Sequence, residues 1–153
     1  MPEFLEFRGV AKRFGTIQAV DGVTLEIKKG EFYSLLGPSG CGKTTMLRIA
    51  AGFEEPDRGR GFLDGRDITD LPPNKRKVNT IFQSYALFPH LNVRDNIAFG
   101  LALAKRPRRE VEAEVDKMLH LIQMTDQAAK KPDQLSGGQK QRVAVARALI
   151  NKP

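Results

Sequence analysis

The chain has little cysteine and no long apolar run. Of its 153 residues only Cys41 is a cysteine, so an internal disulfide is impossible and a reducing compartment is expected. The longest nearly uninterrupted apolar run, Ile97 to Ala104, is far shorter than the roughly 20 residues that a membrane-spanning helix needs. The N-terminus has no basic lead followed by an apolar stretch and a small-residue cleavage site, so no secretory signal is expected. These absences predict a soluble cytoplasmic protein.

Basic residues are in excess, but they are scattered along the chain. The formal net charge is +7, and 28% of the residues are charged. Such a balance suits nucleic acid or an anionic membrane surface, yet no aromatic residues alternate with the basic ones as a stacking platform for bases requires. We therefore expect solvated surface charge and no nucleic-acid partner. The basic clusters are Lys28-Lys29, Lys75-Arg76-Lys77, Lys105-Arg106-Pro107-Arg108-Arg109, Lys130-Lys131, and Lys140 with Arg142.

Strand patterns dominate the first half of the chain. Apolar and polar residues alternate in Phe4–Phe7 and in Val23–Ile27, which predicts two half-exposed strands. The segment Phe32–Leu36 is almost uniformly apolar and leads into a glycine-rich loop, as expected of a buried parallel strand. Further strands are predicted at Phe62-Leu63 and at Val78–Phe82.

Helix patterns follow. Helices are predicted at Thr44–Ala51, where Gly52 is the stop, at Val93–Phe99 and at Arg108–Gln123, with a last helix that begins near Gly137. In the third helix, apolar residues three and four apart form one stripe: Val111, Val115, Met118, Leu119 and Ile122. The last helix is expected to carry the apolar residues Val143, Ala146, Leu149 and Ile150. Strands and helices together predict a mixed α/β domain.

One loop has the composition of a phosphate-binding site. The eight residues fit the pattern G-x-x-x-x-G-K-[ST] between a predicted strand and a predicted helix: Gly37, Pro38, Ser39, Gly40, Cys41, Gly42, Lys43 and Thr44. Glycines let successive backbone amides converge on phosphate oxygens, and the start of the following helix adds positive potential. Lys43 is expected along the β- and γ-phosphates of ATP and the Thr44 hydroxyl on Mg²⁺. A glycine-rich turn without a ligand is the alternative, and the complete pattern disfavours it.

A second motif lies at the predicted start of the last helix. It comprises Leu135, Ser136, Gly137, Gly138 and Gln139. A serine and two glycines at a helix start leave backbone amides free to meet an anion. The alternative is an ordinary helix cap with a flexible lead. From this motif alone, a helix cap and an anion-binding site are equally supported. The predicted phosphate-binding loop earlier in the chain favours the anion-binding site.

These motifs resemble those of one family along essentially the whole chain. The ordered set GPSGCGKT at Gly37, FQSYALFPHLNV at Phe82 and LSGGQKQR at Leu135 is similar to the ATP-binding subunits of ABC transporters. Within the family, the segments VNTIFQSYALFPH and QLSGGQKQRVAVARALINKP look most like bacterial importers of the spermidine/putrescine type. The resemblance implies an α/β P-loop nucleotide-binding domain of ABC type over residues 1–153, with a helical subdomain inserted at about residues 84–135.

The resemblance also implies roles for single residues. Phe14 would stack on adenine, although core packing is an equal alternative for a lone phenylalanine. Gln83 would reach Mg²⁺ and the attacking water, as a catalytic and metal-binding residue. The docking segment, Tyr85–Pro89, would accept a short helix of a membrane subunit. Contacts to the γ-phosphate of ATP on a second subunit, in a head-to-tail homodimer, would come from Ser136, Gly137, Gly138 and Gln139.

The carboxylates that the family uses for hydrolysis have no match here. An aspartate for Mg²⁺ and an adjacent glutamate are expected at the end of an apolar strand, and Asp64 is the nearest candidate. We reject Asp64 because it precedes Gln83 and Gly65 follows it. In the family the strand in question follows the equivalent of Asn151-Lys152-Pro153, and the histidine that senses the γ-phosphate also lies downstream. The expectation is a domain incomplete at its C-terminus that does not hydrolyse ATP by itself.

The function implied is that of the energy-coupling subunit of an ABC importer. As a complete subunit it would hydrolyse ATP at the cytoplasmic face of the inner membrane, as a peripheral protein bound to membrane subunits and only indirectly to a solute-binding protein. The alternatives are an importer ATPase for sugar or iron, a soluble ABC ATPase acting on nucleic acid or protein assembly, and a regulator that only binds ATP.

Overall fold

The computed structural model describes residues 3–153, so Met1 and Pro2 of the predicted domain lie outside the described residues. The chain divides into two compact units, one ending at Val78 and one spanning Asn79–Pro153. The first contains the strands and one helix: β1 Glu3–Phe14, β2 Ile17–Lys28, α1 Lys43–Ala51, β3 Arg58–Leu63 and β4 Arg66–Asp67, followed by a 3₁₀ turn at Pro73–Lys75. The second is helical: α2 Val93–Leu103, α3 Arg108–Leu121 and α4 Gly137–Leu149, with 3₁₀ turns at Thr125–Gln127 and Pro132–Gln134.

The sheet of the first unit is antiparallel throughout, in the order β2-β1-β3-β4. The predicted strands at Phe4–Phe7, Val23–Ile27 and Phe62-Leu63 are confirmed as parts of β1, β2 and β3. Along Val23–Ile27 half-buried and exposed residues alternate, as the sequence pattern predicts for a strand with one covered face.

Helix α1 covers one face of this sheet. Its buried side chains Met46, Ile49 and Ala50 share a core cluster with Phe7, Val10 and Val20 of β1 and β2. The helix ends as predicted at Gly52, whose φ of 81° places it in the left-handed region and whose N–H donates to the carbonyls of Arg48 and Ile49. A left-handed glycine after the last helical residue is the usual helix stop. Lys43 is therefore the first residue of a helix that packs against the sheet.

Two predicted strands are absent from the described part of the chain. Phe32–Leu36 and Val78–Phe82 have no strand assignment, and no strand of residues 3–153 pairs in parallel with either. Phe32 and Leu36 are 93% and 92% exposed, although Leu35 packs against the core of the first unit. Apolar composition alone does not make a strand, because the backbone needs a neighbouring strand for its hydrogen bonds.

The second unit packs α2, α3 and α4 around one core. The predicted stripe of α3 is confirmed: Val115 and Leu119 are buried, and Val111, Met118 and Ile122 pack against the same cluster. Helix α4 begins at Gly137 as predicted. Helix α4 carries Val143, Ala146 and Leu149 as predicted, and Ile150 is its C-cap. Val143, Ala146 and Ile150 are buried, whereas Leu149 is 50% exposed. Leu149 lies six residues after Val143, about 120° around the helix, so it falls at the edge of the buried face.

The predicted helical subdomain, about residues 84–135, lies inside the second unit, which also holds α4. Its insertion into a P-loop core stays a prediction. Over residues 3–153, no helix combines the length and the apolar character needed to cross a membrane.

Candidate functional site

The glycine-rich loop between Gly37 and the start of α1 follows a path that requires glycine. Gly37, Gly40 and Gly42 have φ values of 154°, 81° and 93°. At Gly42 a side chain is also sterically excluded, because a Cβ there would collide with the carbonyl oxygen of Ala19 in β2. The last glycine of the motif thus brings the loop against the sheet.

Lys43 folds back over this loop. Its Nζ donates to the carbonyl oxygens of Gly37 at 2.7 Å and Pro38 at 2.6 Å, and it lies 3.3 Å from the Sγ of Cys41. None of the ion pairs formed within residues 3–153 involves Lys43. The ammonium group is therefore held in place by neutral partners and keeps its charge available to an anion.

The N-terminus of α1 is left open. No side chain caps it, and its first turn contains no acidic residue. By contrast, Asn92 caps α2 by accepting the N–H of Asp95 at 2.8 Å. The first amides of a helix have no intrahelical acceptor, and those of α1 begin at Lys43, where the glycine-rich loop ends. The exposed Thr44 adds a hydroxyl oxygen at this end of the helix.

Phe14 is exposed at the end of β1. Its ring is 44% exposed, which excludes core packing, and the Nζ of Lys12 lies 5.4 Å from the ring centroid. Phe14 pairs with Ile17 across the hairpin turn, and Ala19, the residue that Gly42 contacts, follows two positions later, about 7 Å along the strand. An open aromatic face thus lies near the glycine-rich loop.

The second motif forms a helix cap. The Ser136 hydroxyl accepts the N–H of Gln139 at 3.3 Å, and the Gln139 side-chain oxygen accepts the N–H of Ser136 at 2.9 Å. This reciprocal pair is a capping box. Gly137 and Gly138 follow, both exposed, and a Cβ built on Gly138 would meet nothing within 4 Å. The start of α4 therefore has both a capping box and an exposed glycine surface.

Gln83 is exposed in a turn, and the docking segment follows it. Ala86 and Pro89 are exposed, whereas Leu87 packs against the core of the second unit and the Phe88 ring lies 4.4 Å from that of Phe99. The apolar surface of the docking segment is therefore smaller than its sequence suggests.

Three polar side chains hold backbone near the candidate sites, and the sequence did not assign them this role. The Arg76 guanidinium donates to backbone carbonyls at the C-terminal end of α1. Asn96 is fully buried and holds the backbone between Phe88 and Asn92. Arg147 holds the carbonyls of Tyr85 and Ala86. The only sequence signal was the polarity of Asn96 and Arg147 inside apolar stretches.

Asp64 lies in the tight turn between β3 and β4, where its N–H donates to the carbonyl of Phe4 at 2.7 Å. Across residues 3–153, His, Cys, Asp and Glu form no group of three or more that could hold a metal ion.

Comparison with known proteins places these elements in a family. The family model described as ABC transporter matches residues 20–153. The chain belongs to the ABC transporter family.

Its relatives include importer subunits. The chain is 62% identical over 153 residues to a spermidine/putrescine import ATP-binding protein, PotA, of Protochlamydia amoebophila, with 100% of this chain and 41% of the relative covered. It is 58% identical over 149 residues to the protein of the same name from Thermotoga maritima, with coverage of 97% and 40%. The chain thus spans about two fifths of the length of these relatives.

Solved structures share its fold. A dimeric bacterial ABC transporter cassette matches with a TM-score of 0.88 and 35% identity, over 97% of this chain and 70% of the other. A dimeric cassette in a post-hydrolysis state bound to ADP and Pi matches with a TM-score of 0.87 and 36% identity, at the same coverage. The predicted α/β fold of ABC type is confirmed, and these cassettes extend beyond the part that the chain covers.

Proposed function

We propose that this chain is the nucleotide-binding part of an energy-coupling ABC importer subunit that hydrolyses ATP. The observation that carries the proposal is the loop Gly37–Thr44, where the Lys43 ammonium, without a carboxylate partner among the described residues, lies beside the uncapped start of α1. A fixed positive charge next to free backbone amides favours an anion with several oxygens. A nucleotide polyphosphate has that chemistry.

Each residue of the loop has a share in binding. The backbone amides between Gly40 and Thr44 bind phosphate oxygens, and Lys43 exchanges its bonds to the Gly37 and Pro38 carbonyls for bonds to the β- and γ-phosphates. Phe14 offers its exposed ring to the adenine. Thr44 and Gln83 supply neutral oxygens for Mg²⁺, which neutralises phosphate charge when bound.

A second subunit completes the nucleotide site. Ser136, Gly137, Gly138 and Gln139 contact the γ-phosphate of ATP bound to the opposite copy in a head-to-tail homodimer. The open surface around Gly138 supports this arrangement, because another backbone approaches closely where no side chain intervenes. The two cassettes named above are dimeric, which also supports it.

The partners at the membrane are the transporter's membrane subunits. The exposed Ala86 and Pro89 of the docking segment, together with the half-exposed aromatic rings of Phe82 and Phe99, form an apolar surface that suits a short helix. The protein is peripheral, at the cytoplasmic face of the inner membrane, and a solute-binding protein meets it only through the complex.

The proposed solute is a polyamine. The support is the name of the two relatives described above, both spermidine/putrescine import proteins at 62% and 58% identity. Transport of labelled spermidine by the complete complex in vesicles tests this step, with maltose and ferric iron as competing solutes. Uptake of maltose or iron instead of spermidine would reassign the importer, and ATPase stimulation by nucleic acid without any uptake would favour the soluble alternative.

The nucleotide site is tested with Lys43→Ala in the full-length subunit. Loss of a charge-assisted contact to phosphate costs about 1.5–3 kcal/mol, so the Kd for Mg-ATP is expected to rise by about tenfold or more. Lys29→Ala is the matched control, because Lys29 is an exposed lysine in the turn after β2 and should leave the Kd unchanged. Equal Kd values for wild type and Lys43→Ala in a calorimetric titration would refute this site.

A further inference from the structure

The turn that opens the docking segment has an unusual backbone. Tyr85 and Ala86 are consecutive non-glycine residues with φ values of 63° and 44°. Each such left-handed residue costs about 1–3 kcal/mol and persists only where its surroundings hold it. The conformation of this turn is therefore maintained by contacts from outside the turn.

Arg147 of α4 provides those contacts. Its Nη1 donates to the carbonyl oxygen of Ala86 at 2.7 Å and its Nη2 to that of Tyr85 at 3.1 Å. The guanidinium carbon also lies 5.2 Å from the centroid of the Phe88 ring. One planar group thus binds both left-handed residues and the aromatic residue that follows them, and a fork of this shape fixes orientation as well as distance.

The charged guanidinium of Arg147 forms its hydrogen bonds with this turn. Partial burial lowers the pKa of the guanidinium, and none of the ion pairs within residues 3–153 includes Arg147. Hydrogen bonds from a charged donor to carbonyls are stronger where water is excluded. Removing the guanidinium would leave the left-handed pair without its partner.

The far end of the docking segment is fixed independently. The Asn96 side chain accepts the N–H of Phe88 at 2.9 Å and donates to the carbonyls of Phe88 at 3.1 Å and Leu91 at 3.0 Å. Asn96 belongs to α2, so one end of the segment is anchored to α2 and the other to α4. Arg147 therefore connects the strained end by hydrogen bonds to the helix that begins with the second motif.

Tyr85 lies along that helix. A Cβ built on Gly137 would be 3.9 Å from the Tyr85 hydroxyl oxygen, while the Tyr85 carbonyl is bound by Arg147. Gly137 and Arg147 are ten residues apart in α4, or about 15 Å along its axis. Tyr85 therefore meets α4 at two places: its carbonyl oxygen accepts from Arg147, and its hydroxyl oxygen lies near Gly137.

We propose that Arg147 is a positioning residue that fastens the docking segment to α4, so that a displacement of Ser136–Gln139 is passed to Tyr85–Pro89. The inference rests on the proposed function for the roles of these two segments. The mechanical link itself, from Arg147 to the left-handed turn, concerns this chain alone and is tested separately.

Amide hydrogen exchange in the full-length subunit tests the link. Arg147→Gln is expected to raise exchange in a peptide covering residues 83–91 by about tenfold or more. The matched control is Arg142→Gln, since Arg142 is another α4 arginine that donates to a backbone carbonyl, that of Ile122 at 2.9 Å, and it should leave this peptide unchanged. Unchanged exchange in Arg147→Gln, or an equal rise in Arg142→Gln, would overturn the proposal.

A rescue variant separates positioning from general stability. Glycine adopts left-handed backbone without strain, so Ala86→Gly should restore at least part of the protection lost in Arg147→Gln. Ala102→Gly in α2 is the control that should not. If Arg147→Gln does not fold, Arg147→Lys replaces it, with intermediate exchange expected because one ammonium cannot reproduce the fork. Wild-type exchange in Arg147→Lys, or no rescue by Ala86→Gly, would contradict the proposal.

The functional consequence is measured in the complex with membrane subunits. Arg147→Gln should lower the ratio of solute transported to ATP hydrolysed by about fivefold or more, with the Kd for ATP unchanged. An unchanged ratio would refute the role in coupling. If the wild-type subunit binds no membrane subunit, the proposed function fails, and the exchange experiment still decides whether Arg147 holds the turn.

Discussion

The Arg76 side chain lies against the backbone of Gly52, at the C-terminal end of α1. A Cβ built on Gly52 would be 2.6 Å from the Arg76 Nε, and the buried guanidinium donates to the carbonyls of Ile49 at 2.6 Å, Leu71 at 2.7 Å and Thr69 at 3.0 Å. Burial lowers the pKa of Arg76, but a cation at the C-terminal end of α1 is favoured by the helix dipole. The helix that begins at the glycine-rich loop therefore has a cation at its C-terminal end.

Gly52→Ala is expected to destabilise the first unit beyond the cost of its backbone. The left-handed φ of 81° alone costs an alanine about 1–2 kcal/mol. The clash with Arg76 should add about 1–3 kcal/mol, because hydrogen bonds of a buried cation are disturbed. Gly30→Ala is the matched control, with a φ of 80° and nothing within 4 Å of its Cβ position. Urea unfolding that gives the same loss for both variants would show that Arg76 adapts without cost.

Asn96→Leu is expected to lower the free energy of unfolding by about 2–4 kcal/mol. Leucine has the same branching and the same number of side-chain heavy atoms, but it leaves the Phe88 N–H and the carbonyls of Phe88 and Leu91 without the partners they have now. Asn74→Leu, at an exposed position, is the control and should change stability by less than about 0.5 kcal/mol. A similar, small effect of both substitutions on denaturant unfolding would contradict the structural role of Asn96.

Asp57 should make stability depend on pH in the acid range. Its carboxylate accepts the N–H of Arg13 at 2.6 Å and lies 3.3 Å from the Nζ of Lys12. The bond from Arg13, and then Lys12, hold the pKa of Asp57 below its usual 3.8. A carboxyl whose pKa is lower in the folded state stabilises the protein above its unfolded pKa, and this stabilisation is lost as the pH falls through the folded value.

The corresponding experiment compares wild type with Asp57→Asn. Thermal unfolding should show the largest difference near neutral pH, and the difference should shrink as the pH falls below about 4. High salt should weaken the part due to Lys12 and leave the part due to the Arg13 N–H. A difference between the two proteins that stays constant with pH would disprove the assignment.

Local sequence patterns located the helices and parts of the hairpin strands. Gly52 ends α1 where the sequence predicts a stop, and the stripe from Val111 to Ile122 faces the core. Helical hydrogen bonds and helix caps lie within the segment itself, so the residues that decide them are neighbours in sequence. The motif Gly37–Thr44 belongs to this class, because the last glycine, the lysine and the helix start are adjacent.

Tertiary structure decided the remainder. Phe32–Leu36 has strand composition but no pairing partner among the described residues, and strand pairing depends on chain that is distant in sequence. Leu87 is apolar in the same way as Ala86, yet only Leu87 packs against the core. The bonds from Arg147 to Tyr85 and Ala86 join residues 62 and 61 positions apart. The sequence by itself determined where the glycine-rich motif and the start of α1 meet, because those residues are adjacent in the chain. Only the fold could show which side chains hold the docking segment, because such contacts exist only after distant elements have packed together.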